Sequence, residues 1–110
     1  MRIAAGLLVK ALIRRVHDAG GSAMMLAKGD ATAGAILVVT LDRGVDPHVY
    51  ERGIGPDGAT TLIETGPKDS DASAISDYWR RRSARDPDLW VVELDVADAK
   101  RFAAETIASD

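Results

Sequence analysis

Apolar residues recur every three or four positions from Ala4 to Ala19, and this spacing predicts an amphipathic first helix. The apolar face of this helix contains Ala5, Leu8, Val9, Leu12, Ile13, Val16 and Ala19. The opposite face contains the polar residues Lys10, Arg14, His17 and Asp18. Gly20 and Gly21 follow directly and predict the end of the helix, because glycine readily adopts the backbone conformation that terminates helices.

Four strands are predicted after this helix. Ser22–Ala27 and Ala35–Leu41 are short apolar runs with little alternation, as in strands that are central or covered on both faces. Weaker strand patterns cover His48–Arg52 and Thr60–Glu64. The intervening segment Gly53–Gly58 contains a Pro-Asp-Gly turn signal, so these two strands are predicted to form a hairpin.

A second helix is predicted from a cap at Asp69 or Ser70 to about Arg82. Its inward stripe consists of Ile75, Tyr78 and Trp79. Because this stripe is apolar and aromatic, we expect Trp79 to belong to the core.

The last part of the chain predicts a strand and a third helix. Pro87 restricts Asp86 to an extended conformation. Leu89–Leu94 is then predicted to be a strand, with Trp90 facing the core. Asp95 is the predicted cap of the last helix. That helix is expected to bury Val96, Ala99, Phe102, Ala103 and Ile107.

The predicted order is helix, four strands, helix, strand, helix, which indicates an α+β fold. We expect one domain over residues 1–110, with a mainly antiparallel sheet of about five strands and three helices covering one face. The Leu89 strand is placed beside the Ser22 strand, which leaves the Thr60 strand at the far edge.

Composition narrows the class of protein. With 46% hydrophobic and 28% charged residues, the chain resembles an ordinary soluble globular domain. Zero cysteines exclude a disulfide scaffold, a thiolate metal site and a cysteine nucleophile. No membrane span is expected, because no apolar stretch approaches the roughly 20 residues that a span requires. The first eight residues lack a signal-peptide pattern, so a cytoplasmic location is predicted.

Three sequence blocks resemble a bacterial family known only as a domain of unknown function, number 1491. The blocks are Ala11–Val16 with Gly20–Gly21, Lys28–Asp30 with Ala33–Val38, and the Arg80–Arg82 helix with the Asp86–Trp90 segment. Together they span most of the chain. The resemblance implies one compact domain and supplies no catalytic residue.

Gly53, Gly55 and Gly58 spell the G-x-G-x-x-G pattern of dinucleotide-binding loops. That loop requires a helix after the glycines, whereas Thr60 begins a strand-like segment here. Proline has no backbone N–H, so Pro56 cannot donate a hydrogen bond to a phosphate. The glycines therefore favour a plain turn.

The Lys28-Gly29-Asp30 loop is the first candidate for a small-anion site, because Lys28 supplies charge and Gly29 permits close backbone approach. The favoured alternative is a tight connection. In that alternative Gly29 has a positive φ and Asp30 accepts local backbone hydrogen bonds.

Four arginines near the end of the second helix, at positions 80, 81, 82 and 85, are the second candidate for an anion contact. Local pairing with Asp77, Asp86 or Asp88, or simple solvation, is the favoured alternative. Nucleic acid binding is disfavoured because the net charge is -3 and the chain has no basic surplus.

Acidic residues surround the predicted last strand at Asp86, Asp88, Glu93 and Asp95. Mg²⁺ coordination is one interpretation, and a solvated strand end with a helix cap is favoured over it. His17 and His48 lack partners at metal-ligand spacing. We therefore expect no metal and no cofactor.

The absence of a catalytic constellation favours a non-enzymatic cytoplasmic protein that binds a protein partner or itself. A symmetric homodimer is expected through a sheet edge or a helix face, since Leu7 and Ile3 fall outside the apolar stripe. The alternative is a domain or enzyme for a small anionic ligand. Its candidate residues are Lys28, Asp30, Arg14, Arg15, Arg81, Arg82 and Arg85. Nucleic acid binding through Arg80–Arg85 is the weaker third hypothesis.

Overall fold

The computed structural model describes residues 3–68 and 71–108. Its regular elements are α1 (Ala5–Asp18), β1 (Ser22–Ala27), β2 (Ile36–Asp42), β3 (Val45–Ile54), β4 (Thr60–Thr65), α2 (Ala72–Arg85), β5 (Trp90–Asp95) and α3 (Ala99–Ala103). A π-helical turn at Ala104–Ala108 continues from α3. The predicted order of elements is therefore confirmed, and the fold class is α+β.

The five strands form one sheet in the order β1-β5-β2-β3-β4. Three neighbouring pairs are antiparallel, and β2 with β5 is the parallel pair. The predictions that β5 lies beside β1 and that β4 lies at the far edge are confirmed.

The helices cover both faces of the sheet, so the prediction of one covered face was wrong. On one face α1 and α3 pack against Trp90, Val92 and Leu94 of β5. On the other face Ile75 of α2 packs against a second cluster that includes Val91. Because β5 is apolar on both faces, each face needs a helix to exclude water.

The prediction of a central or doubly covered strand is confirmed for β2 and wrong for Ser22–Ala27. The first five residues of β2 are all buried, whereas β1 is an edge strand and partly exposed. Both runs are apolar and alternate little. An edge strand with few polar residues therefore has the same sequence pattern as a central one.

The predicted hairpin is confirmed, and its turn lies at residues 55–59 rather than at Gly53–Gly58. Strand β3 continues to Ile54, and the Gly55 N–H then donates to the Ala59 carbonyl oxygen at 2.8 Å. Gly58 has a φ of +81°, which an L side chain rarely adopts. The next element is β4, so no helix follows these glycines.

Asp95 does not cap the last helix, so that prediction was wrong. Its carboxylate accepts from the backbone N–H groups of Arg43 and Gly44, each at 2.8 Å, and holds the β2–β3 turn. Asp98 occupies the cap position of α3 with a φ of 58° and no side-chain cap bond. Ala99, Ala103 and Ile107 are buried as predicted, while Val96 and Phe102 are half-buried.

The cap of α2 is Asp71, whose carboxylate accepts from the Ala74 N–H at 2.9 Å. The predicted caps Asp69 and Ser70 lie outside the described residues. The helix extends to Arg85, slightly beyond the predicted end.

The two tryptophans differ in burial. Trp90 is 2% exposed, and its indole N–H donates to the Asp30 carbonyl oxygen at 2.7 Å. Trp79 is half-buried at the margin of the second cluster, where the Arg80 guanidinium lies 5.5 Å from the ring centroid. The core prediction is therefore confirmed for Trp90 and only in part for Trp79.

We expect Trp90→Ala to lower the free energy of unfolding by about 3 to 5 kcal/mol, because it empties a closed site and removes an internal hydrogen bond. Trp79→Ala should cost clearly less, since its ring retains contact with water. Urea unfolding of both variants measures the difference. Equal losses would contradict the assigned burial of the two rings.

Candidate functional site

The exposed edge of the sheet at β1 is a candidate functional surface of the described chain. Strand β1 pairs with β5 on one side, and within residues 3–68 and 71–108 no strand lies on its other side. Met24 is 59% exposed and Met25 is 37% exposed. An edge strand presents backbone N–H and C=O groups that another strand can bind. We call Ser22–Ala27 the β1 edge.

Glycines at the end of α1 set the position of the β1 edge. Gly20 has a φ of +83°, which allows the chain to reverse after the helix. Gly21 lies so close to Val96 that an added Cβ would be 2.6 Å from the Val96 Cβ. The chain therefore leaves α1 tightly against the segment that follows β5.

One carbonyl group of the β1 edge already has a side-chain partner. His17 Nε2 lies 3.3 Å from the Ala23 carbonyl oxygen. Because a carbonyl oxygen can only accept, this bond requires the proton on Nε2. The contact occupies Ala23 and leaves Met24 and Met25 uncovered.

The β1 edge differs from the opposite edge, β4, in charge. Ser22–Ala27 contains no charged residue and no proline, whereas β4 carries Glu64. Charged residues and proline on an edge strand oppose pairing with further strands. A bulge between Met25 and Ala27 interrupts the pairing of β1 with β5, so regular geometry is limited to the first part of the edge.

Contacts within the fold explain why Gly29 and Asp30 occur in the loop that follows β1. The Asp30 carboxylate accepts from the N–H groups of Thr32 at 3.1 Å and Ala33 at 2.9 Å, as the tight-connection alternative predicted. Gly29 does not have a positive φ. Glycine is needed there because an added Cβ would lie 2.2 Å from the Asp88 carbonyl oxygen. Lys28 is exposed.

The candidate arginines of α1 point in different directions. Arg15 donates to Glu105 at 2.8 Å and to Thr106 at 2.7 Å, which ties α1 to the π-helical turn. This hydrogen bond lowers the pKa of the Glu105 carboxyl. Arg14 is exposed and lies 4.0 Å from Asp18, a surface pair of little energetic consequence.

Arg82 connects α2 to the sheet. Its guanidinium donates to both Glu51 carboxylate oxygens, at 2.8 and 3.3 Å, and to the Tyr78 hydroxyl at 2.8 Å. The bond to Glu51 raises the pKa of Arg82, so the side chain stays charged. The paired interpretation therefore holds for Arg82, although its partner is Glu51 rather than a neighbouring aspartate.

Arg81 and Arg85 are exposed on α2, and within the described ranges neither has an ion-pair partner. Asp86 accepts from the Asp88 N–H at 3.0 Å and is not paired with them. The seven predicted site residues thus lie on three elements, α1, the β1–β2 loop and α2. Asp30 and Arg82 are engaged in local bonds that hold the fold.

A polar cluster around His48 was missed by the sequence analysis. His48 Nδ1 lies 2.6 Å from Glu64, and Nε2 lies 3.2 Å from Asp46. Its ring stacks on Tyr50, and the Lys100 ammonium lies 5.2 Å from the Tyr50 ring centroid. The signal was available, because the predicted hairpin places His48 near Glu64 once the two strands are paired.

The hydrogen bond with Glu64 is the main reason that the pKa of His48 is raised above 6.5, and Asp46 adds to it. Both ring nitrogens face carboxylates, so both donate in the charged form. Burial raises the pKa of Tyr50. The arrangement favours a stable imidazolium and leaves no free ring nitrogen to act as a base.

Two of the cavities in the described part of the chain have polar or charged lining residues. One of about 280 Å³ is lined by Ile3, Ala5, Thr32, Ala33, Gly34 and Arg52. Another of about 340 Å³ lies beside the β2–β3 turn and is lined by residues that include Asp42, Arg43 and Asp95. Neither is lined by Lys28 or by an arginine of α2.

Within residues 3–68 and 71–108, no cluster of three His, Cys, Asp or Glu side chains has the geometry to bind a metal ion. None of the helices in those ranges combines the length and apolar character of a bilayer-spanning segment.

One protein family matches this chain. The model of the family described as "Protein of unknown function (DUF1491)" matches residues 3–104. None of the curated proteins compared with this chain matches it.

Three solved structures are similar to this chain. The crystal structure of a DUF1491 family protein from Caulobacter crescentus CB15 has 31% identity and a TM-score of 0.80, covering 92% of this chain and 94% of that chain. An NMR structure of a DUF1491 family protein from the same organism has 34% identity, a TM-score of 0.75 and 93% coverage of both chains. The solution structure of a protein from A. tumefaciens has 30% identity, a TM-score of 0.67 and 87% coverage of both chains.

Replacing Arg82 with methionine should lower the free energy of unfolding by about 1 to 3 kcal/mol, because Glu51 is then left partly buried without its partner. Arg81→Met is the matched control on the same helix and should change stability by less than about 0.5 kcal/mol. Urea unfolding at neutral pH provides both values. Similar losses for both variants would show that Arg82 contributes no more than a solvated side chain.

The pKa of His48, measured by NMR titration, should exceed 6.5, and Glu64→Gln should lower it more than Asp46→Asn does. Because the folded-state pKa is raised, the stabilisation from this cluster is fully present below about pH 6.5. It is lost as the pH rises through the folded-state pKa. A His48 titration unchanged by Glu64→Gln would contradict the assigned hydrogen bond.

Proposed function

This chain belongs to the DUF1491 family, and we propose that it acts without catalysis, by binding a protein partner through the β1 edge. The binding mode is strand addition, in which a partner strand extends the sheet beside β1. The observation that carries the proposal is an uncharged edge strand with two exposed methionines. The similar solved proteins from Caulobacter crescentus and A. tumefaciens support a bacterial protein, and we propose that the association occurs in the cytoplasm.

Backbone chemistry and side-chain chemistry both favour this mode. Strand addition satisfies edge N–H and C=O groups and therefore needs no pocket. Methionine is unbranched and polarizable, so exposed methionines adapt to different partner surfaces. Met24 and Met25 lie on opposite faces of the sheet because successive strand residues alternate. A bound strand can thus contact one methionine on each face.

The small-anion alternative has less support from the geometry. Arg82 is bonded to Glu51, and Arg15 is bonded to Glu105. Lys28, Arg81 and Arg85 are exposed but line neither of the two cavities described above. An anion site gains affinity from several donors converging on one concave surface. The β1 edge is therefore the better-supported functional surface.

Photo-cross-linking in bacterial cells tests this proposal. A photoreactive amino acid replaces Met24 in the full chain, and separate variants carry it at Leu7 and at Ile63. These two controls are 62% and 41% exposed, compared with 59% for Met24, so all three positions are accessible. We expect irradiation to give a discrete covalent adduct from position 24 and none above background from positions 7 and 63.

The three variants must first show the same thermal unfolding as the unmodified protein. Adducts from position 24 that disappear when Met25→Lys is added would support binding along the edge, because lysine opposes strand pairing. The absence of any adduct from position 24, or equal labelling from all three positions, would reject the β1 edge as the functional surface.

A further inference from the structure

We infer that the partner segment beside the β1 edge carries a lysine or arginine next to Met24, and that this side chain reaches over Met24 to the Glu93 carboxylate. Resting on the function proposed above, this contact defines the chemistry of the partner. Glu93 lies on β5, one strand inside the edge. An uncharged edge strand does not distinguish between partners by charge, whereas a carboxylate on the strand beside it does.

Glu93 lies on the face of the sheet that α2 covers. Val91, two residues earlier on β5, belongs to the cluster under α2, and residues two apart on a strand share a face. The register partners of Glu93 are Met24 on β1 and Val39 on β2. Val39 is buried, whereas Met24 is exposed. The carboxylate is therefore flanked by apolar side chains on both neighbouring strands, and its approach from the edge runs over Met24.

Glu93 is half-buried and lacks a counter-charge. Within residues 3–68 and 71–108 its carboxylate has neither an ion-pair nor a hydrogen-bond partner. The other three glutamates of the chain each contact a basic side chain of the fold, in the pairs Glu51–Arg82, Glu64–His48 and Glu105–Arg15. A partly buried charge is unfavourable unless it is paired. A cation from another molecule would supply the partner that the fold does not.

The surroundings of Glu93 favour a cation and oppose an anion. Asp95, the next residue of β5 on the same face, is also acidic. Its carboxylate already accepts from the backbone N–H groups of Arg43 and Gly44. Two carboxylates on one face make the local potential negative, so a partner with an acidic residue at this place would be repelled.

The distance from the edge selects a long side chain. A residue on an added strand opposite Met24 lies two strand spacings from Glu93, which is about 10 Å. Lysine and arginine place their methylene stems along apolar surface and keep the charged end at a polar group. The exposed, flexible Met24 side chain offers that apolar surface between the two positions.

The limited backbone of the β1 edge increases the weight of this side-chain contact. His17 occupies the Ala23 carbonyl oxygen, and the bulge after Met25 ends the regular part of the strand. Few backbone groups therefore remain for a partner, and backbone bonds carry no sequence preference. Met24 lies between these two limits, so the residue opposite it is the one that side-chain chemistry can select.

Selection of displayed peptides on the purified full chain tests this contact. The probe is a phage library of random octapeptides, and the variant is Glu93→Gln, which keeps the shape and removes the charge. Asp77→Asn, at an exposed position of α2, is the matched control. We expect the enriched peptides to carry lysine or arginine at one fixed position. Their recovery should fall at least tenfold on Glu93→Gln and stay unchanged on Asp77→Asn.

Two further measurements locate the contact. The enriched peptides should cross-link to a photoreactive amino acid at position 24. Glu93→Gln should keep or raise the midpoint of thermal unfolding, because the carboxylate has no partner in the free chain. A midpoint lowered by more than about 3 °C would assign Glu93 to the fold and overturn the proposed contact.

The proposed contact is also overturned if no peptide is enriched, if the enriched peptides share no fixed basic residue, or if Glu93→Gln recovers them as well as the unmodified chain does. When position 24 still gives its discrete adduct in cells, these outcomes reject the basic partner and leave binding at the β1 edge standing. When position 24 gives no adduct in cells, both proposals fail.

Discussion

The fold depends on the burial of β5 on both of its faces. Trp90, Val92 and Leu94 pack under α1 and α3, and Leu89 and Val91 pack under α2. Because this apolar segment must be covered above and below, α2 has to pack on the face opposite to α1. Strand β5 also lies between β1 and β2, two strands that follow each other in the chain. That insertion separates β1 from β2 and leaves β1 at the edge.

The loop between β1 and β2 is shaped by the same strand. It crosses the beginning of β5, where the Asp30 N–H donates to the Asp88 carbonyl oxygen and the Trp90 indole donates to the Asp30 carbonyl oxygen. An added Cβ at Gly34 would lie 2.0 Å from the Asp88 oxygen, so a side chain cannot be accommodated there. The glycines of this loop and its aspartate are explained by close packing against β5. No ligand is needed to account for them.

Charged side chains connect the layers around this core. Arg82 joins α2 to β3 through Glu51, and Arg15 joins α1 to the π-helical turn through Glu105. The Arg82 pair is partly shielded from water and hydrogen-bonded at both carboxylate oxygens, so it orients α2 on the sheet. These contacts use residues that sequence reasoning had considered for ligand binding. Among the described residues, the uncharged β1 edge is one exposed surface that these contacts do not use, and it is the surface for which we propose association.

The sequence by itself determined the elements and their order, because residue periodicity and glycine or proline breaks are local signals. It also determined that Trp90 faces a core and that a turn joins β3 to β4. It could not distinguish β1 from β2, since both are short apolar runs, nor show that Asp95 would hold the β2–β3 turn. Only the tertiary structure decided these points. Strand order, and the face of the sheet on which each helix packs, depend on contacts between segments that are distant in the sequence. Those contacts place β1 at an edge of the sheet. They also bring Arg82 to Glu51 and His48 to Glu64.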